Sequence, residues 1–410
     1  MDPLSDLSIC DVTQNLAGPF CAQILGDLGA KVIKVEPPGG DPARAWGPPF
    51  WGTDGTLFLA ANRNKRSIVL DLKTDEGRRI LRDLAARSDV FLQSSRPGVP
   101  KRLGFDYGSI RTIREDIIYL SITAFGDRGP LKELPGYEPL IQAFAGIMSV
   151  TGHPDGPPAR TGGSVVDFGT GMWSAIAILS ALRTRDATGK GACLDTALLD
   201  TAVGWISYHL MGFFASGEVP GRMGSGLTPI VPYQAFATAD GHVMISGGND
   251  SIFVRLCEAL ELVGLVEDSR FNSNPSRVEN REALLAILEP RIRTYDTESM
   301  VELMCRHSVP CSAMQDIAEV AGDPQVAASE LLPFTLHGEV EDYRDVSLPL
   351  RIDGDRPRGE GPVPRAGQNS VEILRDLGYE REKIDRLLAS GVVEAPGRGC
   401  SDNDQAAHGG

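Results

Sequence analysis

Five short apolar runs mark the first 125 residues: LSICDV at 7–12, AKVIKVE at 30–36, RSIVLDL at 66–72, DVFLQS at 89–94 and DIIYLSITAF at 116–125. Each is six to ten residues and rich in Ile, Val and Leu, the pattern of a short strand buried on both faces. Between several of them apolar positions recur with helical spacing, in GPFCAQILGDLG and in TDEGRRILRDLAARS. In the latter Thr74 offers an N-cap and Asp75 and Glu76 suit the first turn. Strand and helix alternating in this way predict an α/β unit with a mostly parallel sheet covered on both sides. Helices are predicted at 139–148, after Asp167 and at 197–213.

The pattern changes near residue 215. ASGEVPGRMGSGLTP is rich in Gly, Pro and Ser and reads as a linker. YQAFATADGHVMISGG predicts a β-hairpin turning at Asp240-Gly241, and helices follow at 250–261, 281–295 and 297–308. A Pro-rich stretch then leads to helices at 370–378 and 381–390. The resulting division is a large domain over 1–200 resumed at 348–393, a smaller α+β domain over 226–325, linkers at 201–225 and 326–347, and a disordered tail at 394–410. There is no internal repeat.

Composition narrows the function. The 410 residues are 42% hydrophobic and 23% charged, as in ordinary globular chains. A net charge of −15 argues against nucleic acid and against a polybasic membrane anchor. No stretch reads as a membrane span, and the opening MDPL begins neither a secretion signal nor a transit peptide, so a cytoplasmic protein is expected. Seven scattered cysteines without a CxxC pair read as small buried hydrophobes, and six histidines never approach metal-ligand spacing, so no metal is expected.

The first strand–helix junction lacks GxGxxG, although Glu36 ends the second strand where a ribose-binding acid would sit. Arg63, Lys65, Arg66 and Lys73 bracket one strand, and Arg96, Lys101 and Arg102 follow the next. Either they serve a phosphate-bearing ligand at the strand ends or they form a solvated rim. Asp167 stands alone in TGGSVVDFGTG, with glycines at 162, 163, 169 and 171, ahead of the apolar run MWSAIAILSAL. It reads as a helix N-cap, as a nucleophile, or as both. A helix N-terminus favours an ionised carboxylate, its free N–H groups can serve an oxyanion, and the glycines would clear space for a ligand. No serine or cysteine has the companions of a triad, which leaves this carboxylate as the best nucleophile on offer.

TQNLAGPFCAQILGDLGAKVIKVEPPGGDPAR, NRNKRSIVLDLKTDEGRRIL, RPGVPKRLGFDYGSI, PGYEPLIQAFAGIMSVTG, VVDFGTGMWSAIAILSAL, GKGACLDTALLDTAV and VPYQAFATADGHVMIS together resemble the class III coenzyme A-transferases, from about residue 5 to 390. This family includes formyl-CoA transferase, carnitine CoA-transferase and α-methylacyl-CoA racemase. The resemblance implies an interlocked homodimer whose large Rossmann-like domain is built from both chain ends. It implies CoA transfer from an acyl-CoA donor, by default succinyl-CoA, to a free carboxylic acid, with no tightly bound cofactor and coenzyme A thioester as substrate. Asp167 matches the aspartate that carries acyl and CoA adducts, Tyr137 and Glu138 a pair near it, and Gly247 and Gly248 a mobile loop that covers it. Coenzyme A contacts map onto Leu16 and Ala17, onto Leu70, Asp71, Leu72 and Lys73, onto Ser94, Ser95 and Arg96, and onto Arg102. Leu16 stands where formyl-CoA transferase has glutamine and Pro37 where it has arginine, which speaks against oxalate and formate. A 2-methylacyl-CoA racemase is the alternative, but Tyr137 replaces its histidine, and a phenol of pKa about 10 exchanges protons poorly at neutral pH. A dicarboxylate or branched short-chain acid is the expected acceptor, with Arg44 or Arg63 as its carboxylate partner.

Overall fold

The computed structural model describes residues 2–335, 337, 340–359 and 361–396. The chain divides into two compact units, one from Met1–Ala145, Gly162–Ser207 and the chain from Ala328 onward, the other from Gly146–Thr161 and Tyr208–Ala327.

The first unit is built on a seven-stranded sheet. Its parallel strands are β1 (Ser8–Asp11), β2 (Lys31–Glu36), β3 (Lys65–Leu70), β4 (Val90–Gln93), β5 (Ile118–Thr123) and β6 (Ala192–Ala197). They lie in the order β3-β2-β1-β4-β5-β6, and a two-residue strand, Val393–Glu394, pairs antiparallel with β3 through Val393 and Leu70. The predicted tail therefore begins as sheet, and its residues from 397 on lie outside those described. β1 sits at the centre, with Cys10 beside Ile33 of β2 and Phe91 of β4. The chain runs outward on one side through β2 and β3, and on the other through β4, β5 and β6. The loops after β1 and β4 thus diverge and open a crevice at the carboxyl ends of the strands. The backbone N–H of Gln14 donates to Ser94 Oγ across that point at 3.1 Å. One core gathers Ile68, Leu70, Ile80, Leu84, Phe91 and Tyr119 with Ile373, Leu374 and Leu387, so the C-terminal helices complete the sheet's cover.

Four helices position the site: α1 (Ala17–Asp27), α2 (Asp75–Ala86), α3 (Glu138–Phe144) and α4 (Val165–Thr188). Thr74 caps α2 as expected, accepting from Gly77 N at 3.0 Å. The helix predicted at 139–148 breaks at Gly146, whose φ of 89° only glycine adopts readily, and resumes over Ile147–Val150. The stretch expected as a linker over 201–225 is helical as far as Ser216, through α5 (Leu198–Trp205) and Ser207–Ser216, because Gly and Pro accumulate only from Gly217 on. Residues 146–161, expected in the large domain, belong to the second unit.

The expectation that no stretch reaches the length of a membrane span also fails. Among the described residues α4 alone is long and apolar enough by length and composition. Half of its most apolar window is nonetheless buried within the fold. Gly169, Gly171, Ser174, Ala175 and Ile178 face inward, and Ser174 Oγ lies 2.8 Å from Thr196 Oγ1 of β6.

In the second unit β7 (Tyr233–Ala237) and β8 (His242–Ser246) form the predicted hairpin, with β9 (Cys311–Ala313) on the other side of β8. His242 pairs with Ala237, so four residues make the connection rather than Asp240-Gly241 alone, and Asp240 Oδ1 is held by Thr297 N at 2.8 Å. Phe236, Val243 and Ile245 pack on Phe253, Leu256, Leu288 and Met304.

Candidate active site

The loop after β1 enters α1 through Leu16, whose apolar side chain supplies no cap, and Leu16 and Ala17 are buried beside the crevice. Leu70 to Lys73 continue β3 at the same carboxyl edge of the sheet, where Lys73 is exposed and its N–H donates to Asp71 Oδ1 at 2.9 Å. Ser94, Ser95 and Arg96 follow β4. Ser95 N donates to Gln93 Oε1 at 2.8 Å, and Arg96 and, further on, Arg102 are exposed. The topology thus gathers the expected coenzyme A positions from Leu16 to Arg96 at strand ends, loops and a helix start along one edge, with Leu16, Ala17 and Ser94 at the switch point itself and Arg102 in the last turn of the short helix Val99–Leu103 that follows.

The other basic residues do different work. Arg63, Lys65 and Arg66 stand at the amino end of β3, away from that edge. Lys65 is buried against Asp11 Oδ2 (3.0 Å), Asn62 Oδ1 (2.9 Å) and Pro19 O (2.8 Å), and burial pushes its ammonium down to about 8 against the pull of Asp11. Arg66 pairs with Asp376 at 2.7 Å. Arg63 is clamped between Asp27 and Asp345, each at 2.6 Å. Arg44 grips Glu36 through two nitrogens at 2.7 and 2.8 Å, reaches Asp54 at 3.1 Å, and stacks on Phe58. Arg44 and Arg63 are therefore structural, and neither is free to bind an acceptor carboxylate, contrary to the sequence reading. Formal charge counted along a chain does not reveal that partners tens or hundreds of residues away have already neutralised it.

Asp167 is not the N-cap of its helix. α4 begins at Val165 after Ser164, which makes no side-chain cap, and Asp167 is the third residue of the first turn. Among the described residues its carboxylate has no hydrogen-bond partner. Burial, and then the charge of Glu138, raise its pKa from 3.8 to about 7. Desolvation here outweighs the helix N-terminus, which was expected to keep the group ionised.

Glu138 is the first residue of α3 and is 4% exposed. Its Oε1 accepts from Gln142 Nε2 one turn along the helix, while its Oε2 is buried without a partner among the described residues. Tyr137 precedes it as N-cap residue of α3 and is 54% exposed, its ring 6.3 Å from that of Trp46. Gly247 and Gly248 lie in the second unit, between β8 and the helix Asp250–Ala259. Gly247 N donates to Pro232 O at 2.7 Å, and nothing lies within 4 Å of a side chain built at Gly248.

Two of the four glycines around Asp167 serve packing, not ligand clearance. A Cβ on Gly171 would stand 2.7 Å from Ala17 O, so this glycine lets α4 cross α1 backbone to backbone. A Cβ on Gly169 would stand 2.6 Å from the ring of Trp205, which also donates through Nε1 to Val165 O at 3.3 Å. A Cβ on Gly162 would meet nothing within 4 Å, and one on Gly163 would meet Val165 Cγ1 at 3.9 Å, an ordinary contact. Gln142 and Trp205 are the site residues that sequence reasoning missed. The i, i+4 spacing of Glu138 and Gln142 was the available signal for the first. Among the described residues no group of three or more His, Cys, Asp and Glu side chains is placed to hold a metal ion.

Comparison with known proteins places the whole chain. Residues 4–370 match the model of CoA-transferase family III. The chain is 37% identical over 394 residues to succinyl-CoA:glutarate CoA-transferase of Homo sapiens, covering 96% of this chain and 90% of that one. It is 39% identical over 384 residues to acetyl-CoA:oxalate CoA-transferase of Acetobacter aceti, covering 93% and 97%. A crystal structure of a CAIB/BAIF family protein from Brucella suis superposes with a TM-score of 0.83 at 38% identity, covering 92% of this chain and 99% of that one. With its fold and nearly its whole length in common with these proteins, the chain belongs to CoA-transferase family III.

Proposed function

We propose that the protein moves coenzyme A from an acyl-CoA donor, succinyl-CoA by default, to a free dicarboxylic acid, with Asp167 as covalent nucleophile. The Asp167 carboxylate attacks the donor thioester carbonyl, the C–S bond breaks, and a mixed anhydride and CoA thiolate result. The thiolate attacks the aspartyl carbonyl, releasing the donor acid as its carboxylate and leaving an aspartyl-CoA thioester. The acceptor carboxylate attacks that thioester, and the thiolate returns to the acceptor carbonyl, regenerating Asp167. One activated bond is exchanged for another at every step.

The observation that carries this reading is the environment of Asp167: an unpartnered carboxylate in the first turn of α4, half-buried beside Glu138. A pKa raised from 3.8 to about 7 corresponds to roughly 4 kcal/mol in favour of the uncharged side chain. Acylation, like protonation, abolishes the charge, so the same environment favours the anhydride and the thioester over the free carboxylate. The uncapped first-turn N–H groups of α4 suit an oxyanion formed at the aspartyl carbonyl. The named activities of the human and Acetobacter aceti relatives, which act on glutarate and oxalate, support a dicarboxylic acceptor. The exposed cations Lys73, Arg96 and Arg102 support the coenzyme A positions proposed at the sheet edge, Leu16, Ala17, Leu70 to Lys73, Ser94 to Arg96 and Arg102, since phosphates need such partners. A second copy of the chain is proposed to cover the exposed outer face of α4, where Met172, Trp173 and Ile176 are each about half exposed.

The test is mass spectrometry after incubation with succinyl-CoA and hydroxylamine. An Asp167 hydroxamate is expected, absent from Asp167→Asn, together with acceptor-dependent exchange that the variant lacks. An unlabelled Asp167 with exchange retained in the variant would overturn the mechanism. Loss of an α-proton to deuterated water without any acceptor acid would instead favour the 2-methylacyl-CoA racemase.

A further inference from the structure

Glu138 has an unusual combination of properties. It is 96% buried by the 4% exposure it retains, it stands beside the nucleophile, and one of its two oxygens has no partner among the described residues. A carboxylate so placed would ordinarily rotate to bring both oxygens to donors, since a bare buried oxygen costs about 1–3 kcal/mol or more. What fixes it is the other oxygen. Oε1 accepts the side-chain N–H of Gln142, four residues on and fully buried in the same helix. The helix sets both Cα positions, so this one bond selects the rotamer that leaves Oε2 uncovered.

We infer that Gln142 is a positioning residue for transfer: by holding Oε1 of Glu138 it fixes the buried, half-satisfied carboxylate at the start of α3, the helix that packs against α4, and so keeps that charge in place beside the helix that carries Asp167. This rests on Asp167 being the nucleophile. Glu138 is the one charge among the described residues that acts on Asp167. On the neighbouring helices, Asp27 of α1 is committed to Arg63, and Asp200 of α5 is exposed and does not contribute. Gln142 bears no charge of its own, so its influence on Asp167 passes through Glu138. Removing its donor acts in one direction by either of two routes. Glu138 swings away or loses its fixed rotamer, and either relieves the like-charge repulsion at Asp167.

The experiment compares wild type, Gln142→Met, Glu138→Gln and the double variant, by the pH dependence of kcat/KM for succinyl-CoA and by hydroxylamine trapping. Methionine keeps the length of glutamine without the donor. Gln142→Met is expected to move the acid limb down by about one pH unit. It should lower kcat roughly ten-fold while KM for succinyl-CoA changes less than two-fold, because the coenzyme A positions lie on other elements. Glu138→Gln should move the limb by a similar amount, and the double variant no further, since the two act through one charge. A merely structural role would reduce the yield of folded enzyme without moving the limb. If Gln142→Met does not accumulate, Gln142→Asn, whose amide stops one methylene short, gives the same readout. A limb unmoved in a folded Gln142 variant, or additive shifts in the double variant, overturns the inference while a wild-type Asp167 hydroxamate leaves the nucleophile standing. Absence of that hydroxamate from wild type overturns both.

Discussion

Replacing Asp167 by asparagine should abolish transfer and, at neutral pH and above, make the protein more stable. The side chain is half-buried, makes no hydrogen bond among the described residues that asparagine would lose, and bears a charge that its surroundings oppose. For an acid whose folded pKa lies above its unfolded value, the folded state binds the extra proton. Stability therefore falls as pH rises from the unfolded pKa to the folded one, and is flat beyond it. With values of 3.8 and about 7 the full penalty is roughly 4 kcal/mol, complete above pH 7 and absent below pH 3.8. At pH 5 the same relation leaves about 1.6 kcal/mol of it, so the advantage of the variant should grow by roughly 2–3 kcal/mol between pH 5 and pH 8.5. Denaturant unfolding followed by tryptophan fluorescence suits the measurement, because all four tryptophans, at 46, 51, 173 and 205, lie in the unit that carries Asp167. Comparing wild type with the variant at each pH cancels the other titrating groups. A variant advantage that does not change with pH, or a variant less stable than wild type at pH 8.5, would refute the claim that burial and Glu138 work against the Asp167 charge.

Two further outcomes test the packing that holds the site. Gly171→Ala should change stability by a net loss of about 0–2 kcal/mol, overpacking of about 1–3 kcal/mol against the carbonyl of Ala17 being offset by about 1 kcal/mol of helix propensity; a variant stabilised by the full helix-propensity gain of about 1 kcal/mol would mean that α1 and α4 do not meet backbone to backbone. Arg63→Ala should cost about 3–5 kcal/mol, because Asp27 and Asp345 would each lose the guanidinium that neutralises them; wild-type stability in the variant would put Arg63 back among the candidates for binding an acid.

The parts of the fold that were legible are those whose burial is continuous. Strands β1 to β5 are largely buried on both faces, so each leaves a short run rich in Ile, Val and Leu, broken by few polar residues such as Lys34 of β2. The strand β6 escaped because it lies at the sheet's edge. Cys193 and Asp195 are exposed on it, and ACLDTA runs straight into the helix that begins at Leu198. Asp167 stood out because a lone carboxylate among small residues ahead of an apolar helix is visible locally. The purpose of its glycines was not, because Ala17 and Trp205, which they accommodate, lie far off in sequence. Arg63 was misread for the same reason, since Asp345 stands 282 residues from it; Arg44 was misread although its partners Glu36 and Asp54 lie close in sequence, because only the fold turns all three side chains toward one another.

The position of Asp167 within the first turn bears on how a helix end can carry a nucleophile at all. Had it been the N-cap, its oxygen would have been occupied by the N–H two or three residues on, as Asp106, Asp296 and Asp316 are in this chain. A carboxylate so bound is stabilised as the anion and is a weaker nucleophile, and each acyl transfer would have to break the cap. Three residues into α4 the side chain is free of that bond. Ser164, at the cap position itself, makes none either, so under the proposed mechanism the helix N–H groups would remain for a charge that develops only during reaction. The cost is an uncompensated half-buried charge, which the raised pKa of Asp167 records. Stability surrendered at rest and activation gained on acylation are then two readings of one electrostatic arrangement. A substitution that relieves the first, at Glu138 or Gln142, should diminish the second.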